Sequence, residues 1–414
     1  GDVFLAYVGA RSDGRDFIGQ ALERGAGAIV FDDVDPGRTA VLLQTLADKG
    51  VPGLPAAGLK PALGAIASGW YGEPSREMRV IAVTGTNGKT SCAQWIARAL
   101  TEGGMPCGAI GTLGIQIPGA DGGSRSLSTG LTTPDAVALH RALADMRRDG
   151  VEAVAIEASS IGIAEGRLDG LHIDIAVFTN LTRDHLDYHG DMAAYEAEKA
   201  KLFAWEGVSA AVVNRDDEAG RRLIQALRAR GTPAALTEYA LGDVPADEGG
   251  RALVASDLHA TSHGMVFTLT WQGQSVQIST PLLGAHNVSN LLAVGGVLLE
   301  LGWSVQRVSA ALSSAQPAPG RLQAVAAPGR LPGEGGPLVV VDYAHTPDAL
   351  ARALEALAPV AQARGGRRIC VFGCGGARDP GKRPQMAQAA CEHADIVVVT
   401  SDNPRSELPQ SIID

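Results

Sequence analysis

The chain has 414 residues, of which 45% are hydrophobic and 19% are charged, and its formal net charge is -10 at pH 7. This length exceeds one ordinary hydrophobic core, so we expect a globular protein of two or three domains. The negative charge argues against a nucleic-acid partner, which would favour a basic face, and no apolar stretch is long enough to predict a membrane span.

Cysteine usage and the two ends of the chain bear on compartment and completeness. The five cysteines form no Cys-x-x-Cys pair and are odd in number, which favours a reducing cytoplasm over a disulfide framework. The sequence also shows no export signal. Because the chain begins at Gly1 without Met and stops at Asp414 inside a helical pattern, we expect both ends to be incomplete.

The first 75 residues predict a small α/β unit. Apolar stretches at 3–8 and 28–31 are typical of strands, and an amphipathic helix is predicted between them, ending near Leu22. Residues 72–75 combine Gly, Glu, Pro and Ser and predict a linker.

Residues 79–91 predict a short buried strand, then a glycine turn, then the start of a helix. Gly85 and Gly88 allow backbone angles that let successive N–H groups turn towards an anion at a helix N-terminus. Lys89 would reach the terminal phosphates and the Thr90 hydroxyl would hold Mg²⁺. The spacing is shorter than in the common phosphate-binding loop, and an ordinary glycine-rich turn is the alternative. The order of strand, Gly-x-x-Gly-Lys-Thr and apolar helix favours nucleotide binding.

Strands and helices alternate from residue 79 to about 319, which predicts a largely parallel sheet covered by helices. In such sheets the ligand lies at the carboxyl ends of the strands. The predicted strands are at 153–156, 173–178, 266–269 and 276–278, and the predicted helices are at 135–148 and 288–301.

A Pro/Gly-rich stretch at 316–320 predicts a boundary before a second, smaller α/β domain. That domain has predicted strands at 338–341, 368–372 and 396–400, and predicted helices at 348–357 and 384–392.

Three polar clusters follow predicted strands. In the first, Glu157 beside Ser159 and Ser160 could hold Mg²⁺ or orient a substrate, and capping of a helix by either serine is an equal alternative. The second, residues 179–190, contains His185 as a possible metal ligand and His189 as a residue that could instead only pack or cap.

Lys199 follows the second cluster on a helical pattern, where a lone lysine is more often solvated than functional. The third cluster joins a glycine turn at 373–379 to residues 401–405. Asn403 and Arg405 there could form a fork for a carboxylate, although these residue types are also good turn formers.

Taken together, these motifs give the sequence a close resemblance to the Mur ligases, the ATP-dependent amide-forming enzymes of peptidoglycan synthesis. Within that family the sequence is most similar to the enzymes that add the third residue of the stem peptide. The motifs run across nearly the whole chain in the family's order, at residues 84–90, 132–135, 157–160, 180–190, 284–287, 342–348 and 402–405.

The resemblance implies an α/β fold with the three-domain Mur ligase architecture. An incomplete N-terminal α/β domain for the UDP end would span residues 1–75. A central P-loop ATPase domain with a parallel sheet would span 76–319. An incomplete, Rossmann-like C-terminal domain for the incoming amino acid would span 320–414.

The resemblance also assigns residues to ATP and Mg²⁺. Catalytic roles fall on Lys89, Glu157, His185 and Lys199. Thr90, Glu157, His185 and a carbamylated Lys199 would serve the metal. The residues that match ATP contacts are Gly85, Thr86, Asn87, Gly88, Lys89, Thr90, Ser91, His286, Asn287, Arg321, Asp342 and His345.

The other two substrates implied are the UDP-muramoyl dipeptide and meso-diaminopimelate. The residues that match dipeptide contacts are Ala10, Arg11, Ser12, Thr132, Thr133, Ser159, Glu165 and Arg167, and those that match diaminopimelate contacts are Arg378, Asp402, Asn403, Pro404 and Arg405. Leu131, Ile161 and Glu165 depart from the family pattern, which concerns the fine contacts to the peptide.

The implied reaction transfers the γ-phosphate of ATP to the D-glutamate γ-carboxylate, and the amine of diaminopimelate then attacks the acyl phosphate. We expect a cytoplasmic monomer. The alternatives are the same step with L-lysine, another Mur or folylpolyglutamate-type ligase, a non-catalytic nucleotide-binding protein, or a simple ATPase.

Overall fold

The structure is a computed structural model of the chain. It describes residues 2–9, 12–119, 123–205, 207–230, 235–242, 251–262, 264–325, 332–333, 336–377 and 379–414. Three predicted site residues, Ala10, Arg11 and Arg378, lie outside the described residues.

The strands within these ranges are, in chain order, β1 (Val3–Ala6), β2 (Ala28–Asp32), β3 (Gly53–Ala56), β4 (Arg79–Thr84), β5 (Cys107–Gly111), β6 (Gly114–Pro118), β7 (Ser124–Leu127), β8 (Ala153–Glu157), β9 (Ile175–Phe178), β10 (Ala210–Asn214), β11 (Ala235–Leu241), β12 (Ala252–Ala260), β13 (Met265–Trp271), β14 (Gln274–Thr280), β15 (Gln323–Val325), β16 (Val339–Val341), β17 (Ile369–Phe372) and β18 (Ile396–Val399).

The helices are α1 (Ile18–Glu23), α2 (Pro36–Asp48), α3 (Leu59–Trp70), α4 (Lys89–Glu102), α5 (Ala136–Arg148), α6 (Ser160–Ala164), α7 (Leu186–His189), α8 (Met192–Ala200), α9 (Glu218–Ala229), α10 (Ala285–Glu300), α11 (Val305–Ser313), α12 (Pro347–Ala363), α13 (Lys382–His393) and α14 (Pro409–Ile413), with short 3-10 helices at Gly14–Phe17, Pro74–Arg76 and Lys201–Ala204. Within the described ranges, none of them combines the length and apolarity needed to cross a membrane.

The N-terminal part forms a three-stranded parallel sheet in the order β1-β2-β3. Alternate residues of β1 and β2, such as Ala6, Ile29 and Phe31, pack with Ile18 of α1 and Leu46 of α2 in one small core. The predicted α/β unit is confirmed, although β1 ends at Ala6 and the predicted linker carries a 3-10 helix.

The central part is built on one eleven-stranded sheet in the order β14-β13-β12-β11-β10-β9-β4-β8-β5-β6-β7. The strands from β12 to β5 in this order are parallel, and each edge carries two antiparallel strands. The prediction of a largely parallel sheet is therefore right for its middle.

Helices cover both faces of this sheet because both faces are apolar. Ile96 and Leu100 of α4 pack with Val294 of α10 in one core, while Leu139 and Met146 of α5 belong to the core on the opposite face. Strand β4 lies between β9 and β8, so the chain leaves β4 at the point where the strand order reverses. Ligands of open α/β sheets bind at such switch points.

The C-terminal part contains the parallel pair β17-β18 and the antiparallel pair β15-β16. Leu350 and Leu354 of α12 pack with Met386 and Ala390 of α13 and with Cys370 of β17. A second small cluster, Leu283, Leu322 and Val360, joins α12 to the start of α10. This contact places α12 beside the segment that joins β14 to α10.

Candidate active site

The loop after β4 has the backbone that the glycine spacing predicts. Gly85 and Gly88 have φ angles of 144° and 87°, which residues with a Cβ rarely adopt. A Cβ would also overlap the Thr179 hydroxyl at Gly85 and the Asn290 amide at Gly88. Helix α4 begins at Lys89, so the loop leads directly into a helix N-terminus. This is the arrangement that binds phosphate.

Residues 179–182, which follow β9, hold this loop in place. The Asn87 N–H donates to Asn180 Oδ1 at 3.0 Å, and Asn180 Nδ2 donates back to the Asn87 carbonyl at 3.1 Å. The Thr179 hydroxyl donates to the same carbonyl at 2.6 Å, and the Thr86 N–H donates to the Asn180 carbonyl at 2.8 Å. Part of the second polar cluster therefore shapes the phosphate loop.

Two lysines point at one carbonyl of the loop. Lys89 Nζ donates to the Gly85 and Thr86 carbonyls at 2.9 and 2.8 Å, and Lys199 Nζ donates to the Gly85 carbonyl at 2.9 Å. Lys199 is only 1% exposed, so the solvated alternative for this residue is wrong. Burial first, and the Lys89 charge second, lower the pKa of Lys199 to about 6. Desolvation also lowers the pKa of Lys89.

Tyr195 lies under the loop and connects it to the neighbouring helices. Its hydroxyl is 3.1 Å from the Thr86 hydroxyl, and Lys199 Nζ lies 4.5 Å from its ring centroid. Burial raises the pKa of Tyr195 to about 12. The His189 ring packs on Tyr195, and its Nε2 lies 2.9 Å from the Ser160 hydroxyl. The interpretation of His189 as a packing residue is therefore right.

Glu157 ends β8 on one side of the loop and is 1% exposed. Its Oε2 accepts a hydrogen bond from the Thr90 hydroxyl at 3.1 Å. The Thr112 N–H donates to Oε1 at 2.8 Å and the Thr112 hydroxyl donates to Oε2 at 3.3 Å. Thr112 follows β5, the strand next to β8, and the sequence analysis missed it because a threonine after Gly111 carries no spacing or charge signal.

His185 does not join Glu157 and Thr90. It has a φ of 51°, its side chain is 47% exposed, and its Nε2 lies 3.5 Å from Asp184. In the part of the chain that the structure describes, no group of three or more His, Cys, Asp or Glu side chains could hold a metal by itself. Mg²⁺ does not need such a group, because it keeps several waters and uses one or two carboxylates with substrate phosphates. The Thr90 and Glu157 oxygens fit this requirement.

A further cluster of polar side chains, formed by Thr133, Ser159, Glu165 and Arg167, adjoins Glu157. The Thr133 hydroxyl lies 2.7 Å from the Glu157 carbonyl and 2.8 Å from the Ser159 hydroxyl. Arg167 donates to the Thr133 carbonyl at 2.9 Å and pairs with Glu165 at 2.5 Å. Ser159 caps α6 by accepting from the Gly162 N–H at 3.0 Å, so the capping alternative is right for Ser159.

The N-terminal part faces this cluster. Desolvation raises the pKa of Tyr7, at the end of the small sheet, and the nearby charges of Asp135 and Glu165 raise it further. Ser12, which follows Tyr7 closely in the chain, is exposed, and its carbonyl accepts a hydrogen bond from the Gly9 N–H at 2.9 Å. Thr132 contacts the residues around Glu157, because its hydroxyl lies 3.2 Å from that of Thr112.

The residues predicted around the nucleotide lie on two parts of the chain: His286 and Asn287 are in the first turn of α10, and Arg321, Asp342 and His345 belong to the C-terminal part. The Arg321 charge contributes to the lowering of the Lys89 pKa. Desolvation lowers the pKa of His286, and the Asp342 charge acts in the opposite direction. Asp342 accepts from the Leu322 and Ala344 N–H groups at 2.8 and 2.9 Å, and the Arg321 guanidinium lies 5.2 Å from the Tyr343 ring centroid. Two other members of the set are held by nearby carbonyls: Asn287 Nδ2 donates to Leu283, and His345 Nδ1 is 3.0 Å from the Tyr343 oxygen.

Arg405 is aimed at the glycine turn of the C-terminal part. Its Nη1 donates to the Gly376 carbonyl at 2.8 Å, and the Gly376 N–H donates to the Asn403 carbonyl at 2.9 Å. The Arg405 N–H lies 3.3 Å from Asn403 Oδ1, as in a side-chain-closed turn. Asp402 is exposed and Pro404 is half-buried beside them. The two turns of the third cluster therefore lie together.

Models of Mur ligase domains match most of the chain. The Mur ligase family catalytic domain matches residues 1–71, the Mur ligase middle domain matches 83–298, and the Mur ligase glutamate ligase domain matches 320–414. Our own boundaries after residues 75 and 319 remain predictions.

Two curated relatives cover the whole chain. The chain is 49% identical over 414 residues to the UDP-N-acetylmuramoyl-L-alanyl-D-glutamate--2,6-diaminopimelate ligase of Janthinobacterium sp. (strain Marseille) and 50% identical over 421 residues to that of Ralstonia nicotianae. Each match covers 100% of this chain and 78% of the relative.

Two solved structures resemble the chain over most of its length. A structure of a UDP-N-acetylmuramoyl-L-alanyl-D-glutamate--2,6-diaminopimelate ligase is 33% identical with a TM-score of 0.72, and the match covers 100% of this chain and 78% of that one. A folylpolyglutamate synthase of Mycobacterium tuberculosis, 21% identical with a TM-score of 0.60 over 88% of this chain and 83% of that one, shares the fold. The family matches, the full-length identity and the three-part architecture lead to one conclusion: the chain belongs to the Mur ligase family.

Proposed function

We propose that the chain is an ATP-dependent ligase that adds meso-diaminopimelate to UDP-N-acetylmuramoyl-L-alanyl-D-glutamate in peptidoglycan synthesis. The relatives that match all of its residues carry this activity in their names. The observation that carries the proposal is the unbroken contact from Thr90 through Glu157 and Thr112 to Thr132. It joins the phosphate loop to the cluster proposed to bind the dipeptide. ATP, the phosphate donor, and the dipeptide, the phosphate acceptor, would therefore lie on either side of the Glu157 carboxylate.

The loop would bind and orient the phosphates of ATP. The N–H groups of Lys89, Thr90 and Ser91 form the N-terminus of α4 and have no acceptor within the helix, so a phosphate there would be stabilised by hydrogen bonds and by the helix dipole, while the Thr86 and Asn87 N–H groups hold the loop to Asn180. Lys89 would exchange its contacts with the Gly85 and Thr86 carbonyls for the terminal phosphates, and Arg321 would add a second positive charge. Mg²⁺, held by Thr90 and Glu157, would neutralise charge that develops between nucleotide and acceptor.

Lys199 is suited to become a carbamate. With its pKa near 6, the amine is largely neutral at pH 7 and can attack CO₂. The new N–C bond forms as one C–O π bond of CO₂ breaks and one proton leaves the nitrogen for solvent, which replaces a buried neutral amine with an anion. That anion would lie beside the cationic Lys89, and we propose that with His185 it completes the metal environment once ATP is bound.

The cluster beyond Glu157 would bind the dipeptide. Thr132, Ser159 and Arg167 would offer hydroxyl and guanidinium donors to the carboxylate and amide oxygens of L-alanyl-D-glutamate. Thr133 is buried and donates to the Glu157 carbonyl, so it would act by positioning Ser159. Glu165 pairs with Arg167 and so sets the direction of its guanidinium. The uridine end would extend towards Ser12 in the N-terminal part, together with Ala10 and Arg11.

Recognition of diaminopimelate is assigned to the last cluster. Arg405 has a planar guanidinium that can bind the distal carboxylate through two parallel hydrogen bonds, and lysine lacks that carboxylate. Asp402, Asn403, Pro404 and Arg378 would complete this site. We further propose that the enzyme acts as a monomer in the cytoplasm, where ATP and the UDP-linked substrate are available.

The test is phosphate release by the full-length polypeptide with ATP, Mg²⁺ and the UDP-muramoyl dipeptide, with meso-diaminopimelate or L-lysine added in parallel. Release with formation of a tripeptide product only with diaminopimelate is the expected result. Turnover with lysine would retain the ligase but contradict the specificity. Release without any amino acid would indicate a simple ATPase, and no release would contradict the proposed function.

A further inference from the structure

Thr112 is the residue that touches both sides of the proposed reaction centre. Its backbone N–H and its hydroxyl bind the two oxygens of Glu157, at 2.8 and 3.3 Å, and its hydroxyl is also 3.2 Å from the Thr132 hydroxyl. Thr112 itself is exposed to the cleft, whereas Glu157 is 1% exposed. A single hydroxyl therefore lies between the buried carboxylate and a residue proposed to bind the dipeptide.

The position of Glu157 depends on the end of β5. Strands β5 and β8 are parallel neighbours, and a Cβ at Gly111 would overlap the Glu157 carboxylate. Glycine at 111 thus lets the carboxylate lie flat against the strand end, where the Thr112 N–H can reach Oε1. The strand end, and not only the Glu157 side chain, determines where the carboxylate oxygens point.

The direction of the hydrogen bonds follows from the number of protons. An ionised carboxylate only accepts, so the one proton of the Thr112 hydroxyl goes to Glu157. The Thr112 oxygen is then left as an acceptor, and the Thr132 hydroxyl donates to it. In this state the Thr132 proton is directed towards Thr112 and is not available to a substrate oxygen.

We propose that Thr112 is a positioning residue that couples the carboxylate of the metal site to the binding of the dipeptide by Thr132. This inference rests on the proposed function and extends it to a residue outside the predicted site. When a cation takes the Glu157 oxygens, the Thr112 proton no longer has its acceptor and turns towards Thr132, and the Thr132 proton is released to the substrate. Filling of the metal site would therefore strengthen dipeptide binding, and the reverse effect must be equal.

Two substitutions separate the hydroxyl from the shape of the side chain. Thr112→Ser keeps the hydroxyl and loses the methyl group, while Thr112→Val keeps the branched shape and loses the hydroxyl. Both retain the backbone N–H that binds Glu157 Oε1. Equal thermal unfolding midpoints for the two variants and the wild type would show that neither change disturbs the fold.

The experiment measures phosphate release by the full-length wild type and both variants as Mg²⁺, dipeptide and diaminopimelate are varied in turn. We expect the wild-type KM for the dipeptide to fall about tenfold as Mg²⁺ rises to saturation, which is the scale of one hydrogen bond to a charged group, and the KM of Thr112→Val to be independent of Mg²⁺. The KM for diaminopimelate should stay unchanged, and Thr112→Ser should lie within about twofold of the wild type.

Several results would overturn the inference. An active valine variant with an impaired serine variant would mean that only packing matters. A dipeptide KM that depends on Mg²⁺ equally in the wild type and in Thr112→Val would refute the coupling. If the wild type releases no phosphate, the proposed function fails separately. Calorimetric binding of a β,γ-methylene analogue of ATP at varied Mg²⁺ then decides on Thr112, because equal Mg²⁺ dependence in the wild type and Thr112→Val would overturn it.

Discussion

Lys199→Met replaces a buried amine with an apolar side chain of similar length. The amine is 1% exposed, and its pKa falls to about 6 from the ordinary value of 10.5, chiefly through desolvation. Between these two pH values the unfolded chain binds one proton more than the folded protein. The wild-type free energy of unfolding should therefore rise with pH by about 1.4 kcal/mol per unit across this window. Below about pH 6 both states hold the proton and this dependence ends.

The size of the effect at pH 7 follows from the same two values. Removing the proton from an amine with an unfolded pKa of 10.5 costs the folded protein about 5 kcal/mol at pH 7. The hydrogen bond from Nζ to the Gly85 carbonyl returns about 1 kcal/mol. We thus expect Lys199→Met to increase the free energy of unfolding by about 4 kcal/mol at pH 7 and by about 1 kcal/mol at pH 9, while phosphate release is lost.

Urea unfolding followed by circular dichroism at the two pH values measures this difference. The buffers must be free of CO₂, because a carbamate would replace the amine by an anion. Lys201→Met is the matched control: its amine is 61% exposed and pairs with Glu198, so a change below about 0.5 kcal/mol with no pH dependence is expected. A Lys199→Met protein that is less stable than the wild type at pH 7, or equally stabilised at pH 9, would refute the reasoning.

Three further substitutions test the other parts of the site. Lys89→Ala should abolish acyl-phosphate formation because it removes the charge that meets the terminal phosphates; retained phosphate release would refute this role. Arg405→Ala should raise the KM for diaminopimelate at least tenfold without changing the KM for ATP, as expected for a lost charged pair of about 1.5 to 3 kcal/mol; an unchanged amino-acid KM would contradict the assignment. Gly88→Ala should weaken ATP binding more than tenfold, since it adds overlap with Asn290 to backbone strain of about 1 to 2 kcal/mol. Gly104→Ala has a similar φ of 90° and open space, so it should cost only the strain, and equal ATP binding by the two variants would exclude the steric effect.

Patterns of neighbouring residues in the sequence were enough to predict several strands and helices. The strand, glycine turn and helix start predicted within residues 79–91 follow one another in the chain, and the structure confirms them as β4, the loop and the beginning of α4 at Lys89. For β8 and α5 the observed limits lie within one residue of the predicted ones, and the predicted first residue of α5, Asp135, is its N-cap. Helix α10 begins at Ala285, three residues before the predicted start, because its first turn carries polar residues that lack an apolar pattern.

Contacts between distant segments escaped the sequence analysis. Thr112 meets Glu157 only because β5 pairs with β8, and 45 residues separate the two side chains. The burial of Lys199 likewise depends on the loop after β4, because its amine donates to the Gly85 carbonyl, 114 residues away in the chain. The helical pattern around Lys199 indicates a solvated face, and tertiary packing overrides it.

The two hydrogen bonds from Lys89 to the loop's own carbonyls have a consequence for nucleotide affinity. Lys89 Nζ donates to two carbonyls of the loop at 2.9 and 2.8 Å, so its ammonium group has acceptors within the loop itself. An incoming triphosphate must displace these internal acceptors, and the dissociation constant reports only the difference between the old contacts and the new. If Lys89 binds the terminal phosphates as proposed, a modest affinity for ATP would be compatible with strong binding of the transferred phosphate, because Lys89 would exchange the Gly85 carbonyl for the γ-phosphoryl group and exchange it back as ADP leaves.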